Sequence, residues 1–312
     1  MKENLYNKTI TNAKPFLKWV GGKRQLIPEI ERILPSNIKK TKKISYYFEP
    51  FIGGGALFFH LSNTYNIEHT VISDMNKELI LTYNVIKKDH ETLIEYLKKL
   101  SEDYIPLCQE KRKEYFLNIR SQFNKDLENF NFKTFDNETI KRASYIIFMN
   151  KTCFNGLYRV NSKGEFNVPH GRYKNPLICD EENLKEVSKV LNNVDIRNAS
   201  YLDSEELINE NSLVYLDPPY RPISKTSSFT SYSSGDFNDE DQKELAQYYK
   251  RISDKGAYAI LSNSDPHNVD ENDNFFDDLY KDYTIERINA NRSINSNADK
   301  RGPINELLIR NY

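Results

Sequence analysis

The stretch Leu213-Val214-Tyr215-Leu216-Asp217-Pro218-Pro219-Tyr220 constrains this chain more than any other. Four apolar residues in a row have the length and composition of a strand buried on both faces, as in the interior of a parallel sheet. Neither proline can donate to a strand ladder, so the strand must end before them. Asp217 therefore stands at the carboxyl edge of a strand, where open α/β sheets form their ligand crevices. Tyr220 sets a flat aromatic face beside that fixed carboxylate. Together they suit a planar, amino-bearing ring: the carboxylate accepts a proton of the amine and the ring stacks on the tyrosine. The competing structural reading is an ordinary turn in which Asp217 caps the next segment.

A second unit lies upstream. Ile44-Ser45-Tyr46-Tyr47-Phe48 reads as the first strand and runs into Glu49-Pro50-Phe51-Ile52-Gly53-Gly54-Gly55-Ala56, followed by an apolar helix to Leu61. Another strand, Thr70 to Ser73, then ends in Asp74. An acid roughly 20 residues beyond a glycine-rich turn matches the nucleoside-binding half of a doubly wound fold, in which the acid takes ribose hydroxyls. The turn is not Gly-x-Gly-x-x-Gly, which favours a nucleoside ligand over a dinucleotide. Further short strands are expected at Val194 to Asn198, Ala257 to Leu261, Tyr283 to Asn289 and Glu306 to Asn311, and helices at Arg24 to Leu34, Met75 to Leu100, Thr139 to Met149 and Asp239 to Asp254. The run Lys39-Lys40-Thr41-Lys42-Lys43 reads as a solvated turn. The fold class is thus α/β, with a Rossmann-like sheet formed by residues 1–87 and 193–312.

No strand of such a sheet is visible between 88 and 192, so this stretch reads as an inserted domain. Within it, Asn161-Ser162-Lys163-Gly164 has the composition of a turn between two short strands, a β-hairpin near 154–173. Arg159, beside asparagines, aromatics and lysines, suits a DNA groove, because arginine can bond guanine bidentately and apolar groups can touch thymine methyls. A basic surface hairpin is the plainer alternative. Near the amino end, the only tryptophan, Trp19, adjoins Gly21-Gly22-Lys23. Paired glycines allow close backbone approach to a ligand, Trp19 could pack on it, and Lys23 could meet a carboxylate.

Charge distribution bears on the partner. Residues 14–43 hold nine Lys/Arg against two acids, a net of +7, and residues 141–176 hold seven against one, a net of +6. Residues 236–282 hold five against thirteen, a net of −8. Two basic segments offer a face for phosphates although the whole chain carries only −1. No apolar run reaches the roughly 18 residues of a membrane span, and Met1-Lys2-Glu3-Asn4 leads into no apolar signal core, so a cytoplasmic setting is expected. Cys108, Cys153 and Cys179 lack metal-ligand spacing and the five histidines form no cluster, so no metal is expected.

Four stretches now combine in order: Pro15 to Lys23; Glu49 to Gly55 with Asp74; the hairpin; and Asp217-Pro218-Pro219-Tyr220. In that combination the chain resembles the Dam family of DNA adenine methyltransferases, with the alpha arrangement of motifs. The resemblance spans nearly the whole chain, weakly between 101 and 138. It implies S-adenosyl-L-methionine as cofactor, S-adenosyl-L-homocysteine as product, double-stranded DNA as substrate and N6 of a flipped-out adenine as target. By the same resemblance Asp217, Pro218, Pro219 and Tyr220 are catalytic. Trp19, Lys23, Phe51, Gly53, Gly55, Asp74, Ser200, Tyr201 and Asp217 border the cofactor. Lys18, Phe154, Asn155, Leu157, Arg159, Pro169, Tyr173 and Arg292 contact DNA, and GATC is the leading site. Phe154 stands where a tyrosine is common, and Tyr158 and Val160 flank Arg159 where some relatives have cysteine and tyrosine. A different short recognition site, or a DNA-binding relative without catalysis, stays open, as does a companion restriction endonuclease.

Overall fold

The computed structural model describes residues 11–19, 21–125, 127, 129–221, 237–291 and 303–312. A 3-10 turn, Lys23–Gln25, leads into helix α1 (Ile27–Ile33), and Pro35 starts α2 (Ser36–Thr41). Strand β1 is Lys43–Glu49, α3 is Ala56–Thr64 and β2 is Asn66–Ser73. Four helices follow: α4 (Lys77–Tyr104), α5 (Gln109–Lys125), α6 (Asn137–Thr152) and α7 (Glu181–Leu191). The sheet then resumes with β3 (Val194–Arg197) and β4 (Ser212–Leu216), α8 (Asp239–Asp254), β5 (Tyr258–Ser264), α9 (Phe275–Leu279), β6 (Thr284–Asn291) and β7 (Pro303–Arg310).

The seven strands form one sheet in the order β3-β2-β1-β4-β5-β7-β6. Strands β1 to β5 pair in parallel and β7 runs antiparallel to both β5 and β6. Strand order reverses between β1 and β4, so the crevice of an open α/β sheet falls at their carboxyl ends. The period of two in β4 divides it between two cores. Leu213 and Tyr215 join the cluster shared with α3, α4, α6 and α7, whereas Val214 and Leu216 join the one under α8. All four are at most 1% exposed, and full burial of each aliphatic side chain is worth about 1.5–3 kcal/mol.

Two local expectations are revised, and one stretch given no element in the sequence takes a definite form. Residues 39–43 are not a solvated turn: the chain is helical to Thr41, reverses at Lys42 (φ 54°) and enters β1 at Lys43. These lysines lie at the amino end of β1, across the sheet from its carboxyl edge, so the first basic segment does not form one face. Residues 109–125, which carry no strand alternation, form a helix whose buried positions Arg112, Phe116, Ile119 and Phe123 follow helical spacing. The hairpin is reduced to two isolated bridges, Val160↔Phe166 and Cys153↔His170, around the turn at Asn161 and Gly164. A continuous ladder is broken by left-handed backbone at Asn155, Gly156 and Arg172 and by Pro169, which has no N–H.

Among the described residues, no helix is long and apolar enough to cross a membrane.

Candidate active site

The loops after β1, β2, β3 and β4 meet at the carboxyl edge of the sheet. They carry, respectively, Phe51 to Gly55, Asp74, Ser200 with Tyr201, and Asp217 to Tyr220. The loop before α1 supplies Lys23 to the same place.

Asp217 ends β4 and is the focus of the polar contacts. Its Oδ1 lies 3.0 Å from Lys23 Nζ and accepts a 2.8 Å hydrogen bond from the Ser262 hydroxyl on neighbouring β5. The Oδ2 atom has no bond to any described residue. Burial raises the affinity of this carboxyl for protons, while the Lys23 ammonium and the Ser262 hydroxyl oppose that rise. Lys23 is 7% exposed, donates to the Gly21 carbonyl at 2.8 Å and sits 4.0 Å from the centre of the Tyr220 ring. One face of Tyr220 is thus covered by a cation, a favourable arrangement with the ring quadrupole. The Tyr220 hydroxyl donates to Glu306 on β7 at 2.7 Å.

A second buried carboxyl, Glu49, closes β1 next to β4. It is 2% exposed and accepts from the Tyr47 hydroxyl at 2.5 Å. Burial, with Asp217 nearby, pushes its carboxyl up to about 8. Glu49, Ser262 and Glu306 were not singled out in the sequence. Their role depends on strand neighbours, and only the position of Glu49 at a strand end gave a signal.

The nucleoside half is held by its own backbone. Asp74 Oδ2 accepts the Gly53 N–H at 3.1 Å and Oδ1 accepts the Asn76 N–H at 2.9 Å. Each carboxylate oxygen retains a further lone pair for a hydroxyl. Burial raises the carboxyl of Asp74 despite these two bonds. Trp19 lies flat against the glycine turn: a Cβ at Gly53 would come within 2.8 Å of its ring. Trp19 also stacks on Tyr158, with centroids 5.3 Å apart. Phe51 stacks on Tyr201 at 5.4 Å. The Tyr201 ring also packs against Tyr248 and its hydroxyl donates to Glu244. The Ser200 oxygen accepts from the Leu202 N–H. An acid for vicinal hydroxyls, a half-buried aromatic and a buried lysine beside a carboxylate together fit a nucleoside that bears an amino-acid side arm.

Next to this edge, the described DNA-contact candidates converge. Asn150, near the end of α6, accepts the Lys18 N–H at 2.9 Å and donates to the carbonyls of Lys18 (2.9 Å) and Gly156 (2.8 Å). The exposed Lys18 side chain crosses Gly156, where a Cβ would come within 2.5 Å of it, and reaches the Tyr173 ring at 5.7 Å. Gly156 has φ +65°, a conformation costly for any other residue. Phe154, 53% exposed, donates its N–H to the Pro169 carbonyl at 2.8 Å. Asn155 is exposed and Leu157 half-buried beside it. Arg159 is exposed and its Nε donates to the Asn167 side chain at 2.7 Å. Arg292 lies outside the described residues. Among the described residues, no cluster of His, Cys, Asp or Glu is disposed to hold a metal ion.

A mostly parallel sheet, whose carboxyl edge joins a glycine turn and nucleoside acid to an Asp-Pro-Pro-Tyr turn, defines an S-adenosyl-L-methionine-dependent methyltransferase acting on an amine. Residues 19–294 match the D12 class N6 adenine-specific DNA methyltransferases, and the chain belongs to that family. It is 49% identical over 301 residues to the type II methyltransferase M.MjaIII of Methanocaldococcus jannaschii, covering 96% of this chain and 99% of that one. The type II methyltransferase M1.LlaDCHI of Lactococcus lactis subsp. cremoris is 42% identical, with 99% of each chain covered. The DNA adenine methylase of Escherichia coli K12 is 32% identical over 295 residues, covering 95% of this chain and 94% of that one. The protein is therefore an adenine-specific DNA methyltransferase that uses S-adenosyl-L-methionine.

Proposed function

We propose that this enzyme methylates N6 of an adenine flipped out of double-stranded DNA, within GATC. The observation that carries the chemistry is the split use of Asp217. Its Oδ1 is engaged by Lys23 and Ser262, and its Oδ2, which takes no hydrogen bond from the described residues, suits a substrate N–H beside the Tyr220 ring. An exocyclic amine inside a duplex is out of reach, so the base must leave the stack.

Bound S-adenosyl-L-methionine supplies a methyl carbon already activated on a sulfonium. The protein's task is alignment, which can contribute several kcal/mol. Asp217 Oδ2 accepts one N6–H and the Pro218 carbonyl accepts the other. Both bonds strengthen as positive charge develops on nitrogen and localise the lone pair on the attacking atom. The raised proton affinity of Asp217 suits it to receive the departing proton. Tyr220 offers the face not covered by Lys23 to the base. Lys23, Phe51, Gly53, Gly55, Asp74, Ser200 and the Tyr201 backbone would hold the cofactor, with Trp19 behind the glycine turn.

Residues 1–87 and 193–312 would then form the catalytic domain and 88–192 the target-recognition domain. The convergence of Lys18, Phe154, Asn155, Leu157, Pro169 and Tyr173 supports recognition through the 154–173 segment, with Arg159 and Arg292 added. GATC rests on the resemblance of that segment to Dam enzymes. The type II names of two relatives support a companion restriction endonuclease, and a DNA substrate supports a cytoplasmic, nucleoid-associated setting.

The test is methyl transfer from labelled cofactor to two duplexes, one with a single GATC and one with the adenine moved within it. Labelling of the GATC duplex alone is expected. Labelling of both keeps the adenine chemistry and overturns the recognition reading. In parallel, Asp217→Ala should abolish transfer while DNA binding persists, and normal turnover by this variant sinks the mechanism.

A further inference from the structure

The Asp-Pro-Pro-Tyr turn is held from behind by two buried amides. Gln242, in the first turns of α8, and Asn263, in β5, are each 0% exposed. Gln242 Nε2 donates to the Pro219 carbonyl at 3.1 Å. Asn263 Oδ1 accepts the Arg221 N–H at 3.3 Å, and Asn263 Nδ2 donates to Gln242 Oε1 at 3.1 Å. The Ser264 hydroxyl donates to the Arg221 carbonyl at 3.0 Å.

These bonds fall where the turn retains freedom. A proline ring fixes φ but leaves ψ soft. The Pro219 carbonyl belongs to the peptide plane before Tyr220, and the Arg221 N–H belongs to the plane after it. Gln242 holds the first plane and Asn263 the second. The Cα of Tyr220 lies between two clamped planes, which set the direction of its Cα–Cβ bond, while Glu306 and Lys23 hold the ring itself. The chain of bonds also has a fixed sense. Reversing the Gln242 amide would set its oxygen against the Pro219 carbonyl and its NH2 against the NH2 of Asn263, leaving buried polar groups unpaired. Arg221 continues the anchorage through a two-pronged ion pair with Asp239 (2.7 and 3.0 Å) and a third contact with Asp273 (2.6 Å).

We propose that Gln242 and Asn263 are positioning residues for methyl transfer, clamping the two peptide planes that flank Tyr220 and so aiming the face on which the target base lies. The proposal rests on the reading of Tyr220 as the stacking residue. Neither amide touches cofactor or base, so binding should survive their loss and alignment should not.

The variant Gln242→Glu is nearly isosteric: assayed at a pH above the raised pKa that burial gives such a carboxyl, it still accepts from Asn263 but cannot donate to Pro219. Its kcat should fall by about tenfold or more, with both KM values within about threefold of the parent, because small misplacements cost rate rather than binding. Gln242→Met, which removes the donor without adding charge, should show the same split if the glutamate variant folds poorly. A readout independent of turnover is a duplex with 2-aminopurine at the target position. Stacking on a correctly aimed Tyr220 quenches the flipped base, so both variants should fluoresce more brightly at equal DNA affinity, as should Tyr220→Leu. If Tyr220→Leu changes neither kcat nor fluorescence, the stacking reading fails. If Tyr220→Leu changes both and the Gln242 variants change neither, the positioning proposal alone is overturned. Parallel losses of melting temperature, cofactor affinity and kcat in both Gln242 variants would also overturn it, in favour of general packing.

Discussion

The ammonium of Lys23 lies 3.0 Å from the Asp217 carboxylate, joining the loop before the first helix to the end of the fourth strand. This contact holds down the proton affinity that burial confers on Asp217. Replacing Lys23 with methionine leaves the carboxyl without its cation. The Asp217 pKa should rise further, so the ionised form appears only at higher pH. The acid limb of the kcat/KM profile should move to higher pH, and Lys23→Arg should restore part of the shift. An unmoved acid limb in Lys23→Met would separate Asp217 from the pH dependence.

Glu49 makes stability depend on pH in the opposite sense to a surface carboxylate. Its folded-state pKa of about 8 exceeds the ordinary 4.5, so the folded chain binds a proton that the unfolded chain has released. The fold is therefore favoured at low pH and loses this contribution as pH rises from about 4.5 through 8. The loss is on the order of a few kcal/mol. Thermal melts from pH 5 to 9, as order-of-magnitude bounds on that window, should show a steeper decline for the parent than for Glu49→Gln. Equal slopes would mean that Glu49 is ionised throughout.

Asn150 fastens the amino-terminal segment to the recognition candidates, and Trp19 is the only tryptophan available to report on it. Asn150→Ala leaves three backbone groups without partners and should destabilise by about 1–3 kcal/mol. Its Trp19 emission should shift to the red with unchanged helical content by circular dichroism. Discrimination between target and displaced-adenine duplexes should narrow. An unchanged emission spectrum would show that the segment is held without Asn150.

Arg142 and Glu78 form an ion pair of 2.6 Å between α6 and α4, with both side chains at most 5% exposed. The guanidinium also packs on Phe123 and Phe130. Arg142→Met strands a buried carboxylate and should cost about 3–5 kcal/mol in denaturant unfolding. Removing both charges, with Glu78→Gln added, should recover a large part of that loss. A double variant as unstable as the single one would assign the effect to packing on the phenylalanines.

The strands were legible because interior parallel strands read as short apolar runs, as in Leu213 to Leu216, or as β-branched stretches such as Thr70 to Ile72. Their neighbours were not, since nothing local in β1 states that it pairs with β4. Helix α5 was hidden by composition. Its inward face includes Arg112, which bonds the carbonyls of Tyr173 and Lys174, and Asn124, which bonds Phe166 in both directions. Arginine and asparagine read as surface until the loop they hold is known. At the candidate site, Asp217, Lys23 and Asp74 carried a spacing or motif signal. Gln242 and Asn263 carried none, because their partners are backbone atoms supplied by another element.

The segment 11–19 is pinned by partners far along the chain: Asn63 to Thr11, Asn183 to Lys14, Glu186 to Asn12 and Asn150 to Lys18, the last three separated by 169, 174 and 132 positions. During synthesis this segment leaves the ribosome long before three of its four partners exist. Only the contact with Asn63 can form early, and the remaining anchors wait until α6 and α7 have emerged. The nascent chain thus passes through a period in which the sheet can begin to assemble while the edge that modifies DNA is still open. Translation order itself delays the anchoring of this segment until residues 150 to 186 have been made.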